Sequence, residues 1–160
     1  MTKSQNEIAR AMVEDVYGKG EIQLIPQLCT DDYVSHDPMT GAIDRPGIES
    51  DVSTYRRAFP DLRMQILDAV DAGDKVSVRW RAVGTQQGEL LGIPPTNKRA
   101  TVEGITLVRF ERGKAAESWV QYDTLGMLRQ LGVLPQSLAA PAPRPDGRQQ
   151  RAESPTQTRR

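Results

Sequence analysis

Apolar residues recur every third or fourth position through the first sixty residues, and every second position after that. Ile8, Ala11, Met12 and Val16 mark the inner stripe of a first helix. Ser4 and Glu7 have the spacing of a capping box at its start, and Gly18-Lys19-Gly20 ends it. A short second helix carries Ile22, Ile25 and Leu28. Residues 31–38 read as a brief strand that enters a turn, because Pro38 turns Asp37 away from helical geometry, and the loop continues through Gly41. Asp44 and Pro46 are a start signal for a third helix, with Ile48, Val52, Tyr55 and Phe59 on one face and Pro60 as its stop.

The alternation then becomes that of strands. Residues 63–70 form one strand and residues 75–85 a second, with a turn at 71–74. In the second, Val76, Val78, Trp80 and Ala82 alternate with Ser77, Arg79 and Arg81, so one sheet face is covered and the other polar. Residues 86–99, with Gly88, Gly92, Pro94 and Pro95, form a loop. Residues 101–123 follow as a hairpin turning at Glu111-Arg112-Gly113-Lys114, where Gly113 supplies a positive φ. A last short helix ends at Leu131-Gly132. Helices first and antiparallel strands afterwards predict an α+β domain.

Composition sharpens this in two places. From Pro135 onward the chain holds five of its eleven prolines and five arginines, with almost nothing to bury. We therefore divide it into a folded domain at 1–133 and a disordered tail at 134–160. The tail is locally basic and the body mildly acidic, which leaves no dense cationic face for nucleic acid. No run is long and apolar enough for a membrane span, and Cys29 has no partner for a disulfide, so a cytoplasmic setting is expected. One histidine and one cysteine give no ligand spacing for a metal.

The candidate chemistry lies on the second arm of the hairpin. Glu117, Trp119, Gln121 and Asp123 share one face, and Ala116, Ser118, Val120 and Tyr122 the other. If the first face is covered, Asp123 sits in an apolar setting that raises its pKa and suits proton transfer; otherwise it caps the helix that follows. His36 can relay or orient a proton near neutral pH. Tyr17, Tyr55, Phe59, Trp80 and Trp119 serve either as core or as pocket lining.

The ordered motifs Ala58-Phe59-Pro60-Asp61-Leu62, Gly73-Asp74-Lys75-Val76, Arg79-Trp80, Gly84-Thr85, Gly88-Glu89-Leu90, Arg109-Phe110, Glu117-Ser118-Trp119, Asp123 and Gln130-Leu131-Gly132 resemble the SnoaL-like polyketide cyclase, or ester cyclase, family of the NTF2-like superfamily. The resemblance runs from about residue 7 to residue 133. It implies a cone, a strongly bent antiparallel sheet wrapped around three helices, with a pocket inside. It also implies an intramolecular aldol cyclisation of an apolar, carbonyl-bearing metabolite without cofactor or metal. The position matching the family's acid/base is Asp123, with His36-Asp37 resembling its early His-Asp pair. Trp119, Gln121, Tyr55, Phe59, Trp80 and Tyr17 are the expected substrate contacts. A dehydratase, an epoxide hydrolase or a non-catalytic binding module is the alternative on the same fold. The polar outer face of the long strands leads us to expect a homodimer.

Overall fold

The computed structural model describes residues 3–135 and Leu138. Most of the 134–160 segment, and with it the expectation of disorder, lies outside the described residues.

Helix α1 (Gln5–Ala11) begins at the capping box read from the sequence: Ser4 Oγ accepts from the Glu7 amide, and Glu7 Oε2 accepts from the Ser4 amide. The chain continues as a π-helical stretch, Met12–Tyr17, that buries Met12, Val13 and Val16. A 3₁₀ turn (Ile22–Leu24) leads into the short α2 (Ile25–Leu28). Strands β1 (Cys29–Asp37) and β2 (Gly41–Asp44) follow, then α3 (Arg45–Ala58), β3 (Arg63–Ala72), β4 (Lys75–Thr85), β5 (Arg99–Glu111), β6 (Lys114–Tyr122) and α4 (Thr124–Leu131). Asp44 caps α3 through the Gly47 amide, with Pro46 in its first turn.

The six strands form one sheet in the order β2-β1-β6-β5-β4-β3. The fold is α+β as expected, with two corrections. Gly41–Asp44 form a short strand paired with β1 where the loop was expected to run through Gly41, and β1 runs parallel to β6, so the sheet is mixed and not wholly antiparallel. Hydrophobic period reports which face a strand buries but carries no information on which strand lies beside it.

One face of this sheet packs against α1, the π-helical stretch and α3. Val76, Val78, Trp80, Val102, Thr106, Val108 and Phe110 point inward from β4 and β5. Their outward neighbours Arg79 and Arg81 pair with Glu103 across the strands. A second, smaller apolar cluster closes one end of the domain, where α4 lays Met127 and Leu131 against Phe59, Leu90 and Val102. Leu90 belongs to the 86–99 loop, which is organised by the fully buried Gln86. Its side-chain amide donates to the carbonyls of Gly88, Ile93 and Pro94, and its oxygen accepts from Thr96 Oγ1. The β5–β6 turn uses positive φ at both Arg112 (+49°) and Gly113 (+77°), as a two-residue hairpin loop requires.

Gly104 sets how Trp80 is seated. It lies opposite Trp80 in the β4–β5 ladder, and a Cβ placed there would meet the indole at 2.5 Å and the Gln121 carbonyl oxygen at 2.8 Å. The space a side chain would fill belongs to the indole, whose Nε1 donates to Thr106 Oγ1 at 2.9 Å. Gly104→Ala should therefore destabilise the domain by about 1–3 kcal/mol, the range for overpacking a filled site. Urea unfolding followed by tryptophan fluorescence measures this. A variant as stable as the parent would show that Trp80 does not depend on the gap.

A tyrosine- and aspartate-lined cavity

The elements packed on the inner face do not fill the space they enclose. A cavity of about 120 Å³ remains between the sheet, the π-helical stretch and α3. That is of the same order as the roughly 150 Å³ of an apolar cavity that takes up benzene. Its wall is mainly aliphatic and aromatic, and all four tyrosines of the chain contribute to it.

Tyrosines, aspartates and serines reach it from four elements. Tyr17 ends the π-helical stretch, and its hydroxyl donates to Asp51 Oδ2 at 3.0 Å. Asp51 is on α3, three residues after Ile48 and four before Tyr55, so helical geometry turns it inward with them. Only 7% of Asp51 is exposed, and burial pushes its carboxyl up to about 6, with neighbouring Asp37 adding to the rise and the Tyr17 hydrogen bond opposing it. Asp37 reaches the cavity from the end of β1, its Oδ1 accepting from the amides of Met39 and Thr40. Tyr55 of α3 and Tyr122 of β6 meet hydroxyl to hydroxyl at 2.9 Å. Burial pushes both phenols up, as it does Tyr17, so all three remain protonated around neutral pH. Deeper in the sheet, Tyr33 Oη lies 2.6 Å from Ser118 Oγ, which donates to Ser35 Oγ at 3.0 Å.

The residues singled out from the sequence fall into two groups. Tyr17, Tyr55, Phe59 and Trp80 line the cavity. His36, Trp119, Gln121 and Asp123 do not, which corrects their expected placement. β6 alternates as read, but the covered face is the one bearing Ser118, Val120 and Tyr122. The register decides this: Val108 and Thr106, inward on β5, pair with Ser118 and Val120, while Leu107 pairs with Trp119. On β1 the same parity sends Tyr33, Ser35 and Asp37 inward and His36 outward. There His36 stacks on Trp119 (ring centroids 5.6 Å apart) and bonds Glu117 Oε1 at 2.9 Å. Asp123 is exposed and is the N-cap of α4, its Oδ1 accepting from the Gly126 amide at 2.8 Å. Sequence reading missed Asp51 as a cavity group, whereas Asp37 was placed close to the pocket by the resemblance of His36-Asp37 to the family's early pair. The signal was present, since a carboxylate on the apolar stripe of α3 departs from the pattern of its own helix.

Residues 7–131 match the model of the SnoaL-like polyketide cyclase family. No curated protein matches the sequence. Among solved structures, TsrD from Streptomyces laurentii is 28% identical, covering 79% of this chain and 93% of its own at a TM-score of 0.72. IdmH from Streptomyces antibioticus is 26% identical, covering 82% of this chain and all of its own at 0.70. A Catenulispora acidiphila protein with a ketosteroid isomerase-like fold, 21% identical over 80% of this chain and 94% of its own, shares the architecture at 0.67.

The raised Asp51 carboxyl has a sign that titration can check. Its folded pKa of about 6 exceeds the ordinary value of 3.8. The stability tied to its proton is thus fully present below about 4 and is lost as pH rises through about 6. Tyr17→Phe removes a hydrogen bond that favours the charged form and should move the Asp51 midpoint higher still, read by carboxyl-carbon NMR. A midpoint that falls or stays put would mean the Tyr17 contact does not tune Asp51.

Proposed function

The chain belongs to the SnoaL-like polyketide cyclase family, and from that premise we propose that it is a cofactor-independent acid–base enzyme acting on a small, largely apolar, carbonyl-bearing molecule held in the cavity. The observation that carries this reading is Asp51, a carboxylate buried in an apolar wall with its pKa brought near neutrality, where one group can both take and return a proton. The acid/base role expected of Asp123 passes to Asp51, since Asp123 is committed to capping α4 outside the cavity.

In the reaction, the Asp51 carboxylate removes a proton from the carbon next to a carbonyl, leaving an enolate and a neutral carboxylic acid. The enolate carbon attacks a second carbonyl of the same molecule, forming the carbon–carbon bond and an alkoxide, which recovers the proton from Asp51. The Tyr55–Tyr122 pair holds two hydroxyl protons and uses one between its own oxygens, so the other is available to the developing enolate oxygen. Holding both carbonyls in one rigid cavity lowers the barrier by positioning. If the proton is returned to a different carbon instead, the same groups perform an isomerisation.

Asp51→Asn should lower turnover by at least about a hundredfold on any carbonyl substrate identified, the usual size of a general acid–base loss. Asp123→Asn keeps an oxygen able to cap and should retain turnover. The reverse outcome, with Asp51→Asn active and Asp123→Asn inactive, would return the role to Asp123.

We also propose that two copies associate through the outer sheet face. Ser77, Leu107, Trp119 and His36 lie side by side across four strands there, next to the exposed Ile105. Light scattering at micromolar concentration should give twice the 17.7 kDa chain mass, and the mass of one chain would reject the association.

A further inference from the structure

The charge of the cavity wall narrows the substrate class beyond a carbonyl compound. Asp37 and Asp51 both line it, while no lysine, arginine or histidine among the described residues does. The four tyrosines add hydroxyls that burial keeps neutral, so no wall group supplies a compensating positive charge. Asp51 is more than nine-tenths buried, and the hydrogen bond it accepts is from Tyr17, to Oδ2. The same wall carries the aromatic side chains of Tyr17, Tyr55, Phe59, Trp80 and Tyr122. A carboxylate lacking a counter-ion in a water-poor space is costly, and a ligand that brings a cation removes that cost. Aromatic faces attract the same cation, and more strongly when it is desolvated.

We infer that the cavity takes an organic ammonium, a substrate bearing a protonated or quaternary amine on an apolar frame, and rejects anions of the same shape. This rests on the reading of the cavity as the substrate site. The groups facing Asp51 are Tyr17 from the π-helical stretch, Asp37 from β1, Tyr55 from its own helix and Tyr122 from β6. None of these carries a positive charge. Ammonium affinity therefore follows the ionisation of Asp51 and increases as pH rises through about 6.

Three probes share one frame and differ only in the head group: N,N-dimethylcyclohexylammonium, cyclohexyl methyl ketone and cyclohexanecarboxylate. Binding to the full chain is followed by amide chemical shifts. At pH 7.5 the ammonium should bind at least tenfold tighter than the ketone, and the carboxylate should not bind. Lowering the pH to 5 should weaken the ammonium about tenfold and leave the ketone unchanged. Asp51→Asn should abolish the preference at pH 7.5, and Asp51→Glu should retain it. Ketone binding as tight as that of the ammonium, or ammonium binding indifferent to pH, overturns the inference and leaves the carbonyl reading standing. If none of the three probes binds, both readings fall together.

Discussion

The pairing of β1 with β6 is the constraint on which the rest depends. It places Ser35 beside Ser118 and His36 beside Trp119, residues more than eighty positions apart, in parallel register. Because neighbouring side chains across a ladder share a face, this one alignment sorts both strands at once. Ser35 and Ser118 join Tyr33 in a buried hydroxyl chain, and His36 and Trp119 stack on the outside. Asp37, two residues past Ser35, then arrives in the cavity wall. A slip of β1 by one residue against β6 would turn His36 inward in place of Ser35 and Asp37.

The cavity survives because its wall is built from large groups that brace one another. Trp80 is held over Gly104 and tied to Thr106, while Tyr55 and Tyr122 meet hydroxyl to hydroxyl. Each of these aromatic residues therefore has a partner for its polar end. α4 and the Gln86-centred loop close the end where the second apolar cluster lies. Within that frame Asp51 is the costly element. Its burial is opposed by a single hydrogen bond from Tyr17, and the carboxyl takes up part of the difference as a raised pKa. A cost of this kind, tolerated inside an otherwise consistent fold, is the ground on which the acid–base role is proposed for Asp51.

Much of this was legible in the sequence. The capping box at Ser4 and Glu7, the Asp44 cap, the positive φ at Gly113 and the end of α4 at Gly132 are each written in a few adjacent residues, and local hydrogen bonding and backbone sterics decide them. The alternation of β4 and the inner stripe of α3 were equally plain, because period alone specifies a buried face. The motif order identified the family for the same reason: it is a property of the linear chain.

Only tertiary structure settled which face of β6 looks into the cavity. Alternation defines two faces but does not say which is covered, and Trp119 made the wrong one look apolar. The deciding facts are partners: Val108 and Thr106 on β5, Ser35 on β1, and the ion pairs of Arg109 and Arg81 that hold the other face toward water. The parallel β1–β6 pair and the meeting of Tyr17 with Asp51, thirty-four residues apart, were beyond local reading for the same reason. A sequence fixes periods, caps and turns through interactions a few residues long. Which side chains share a cavity depends on contacts between distant segments, which exist only once the chain has closed upon itself.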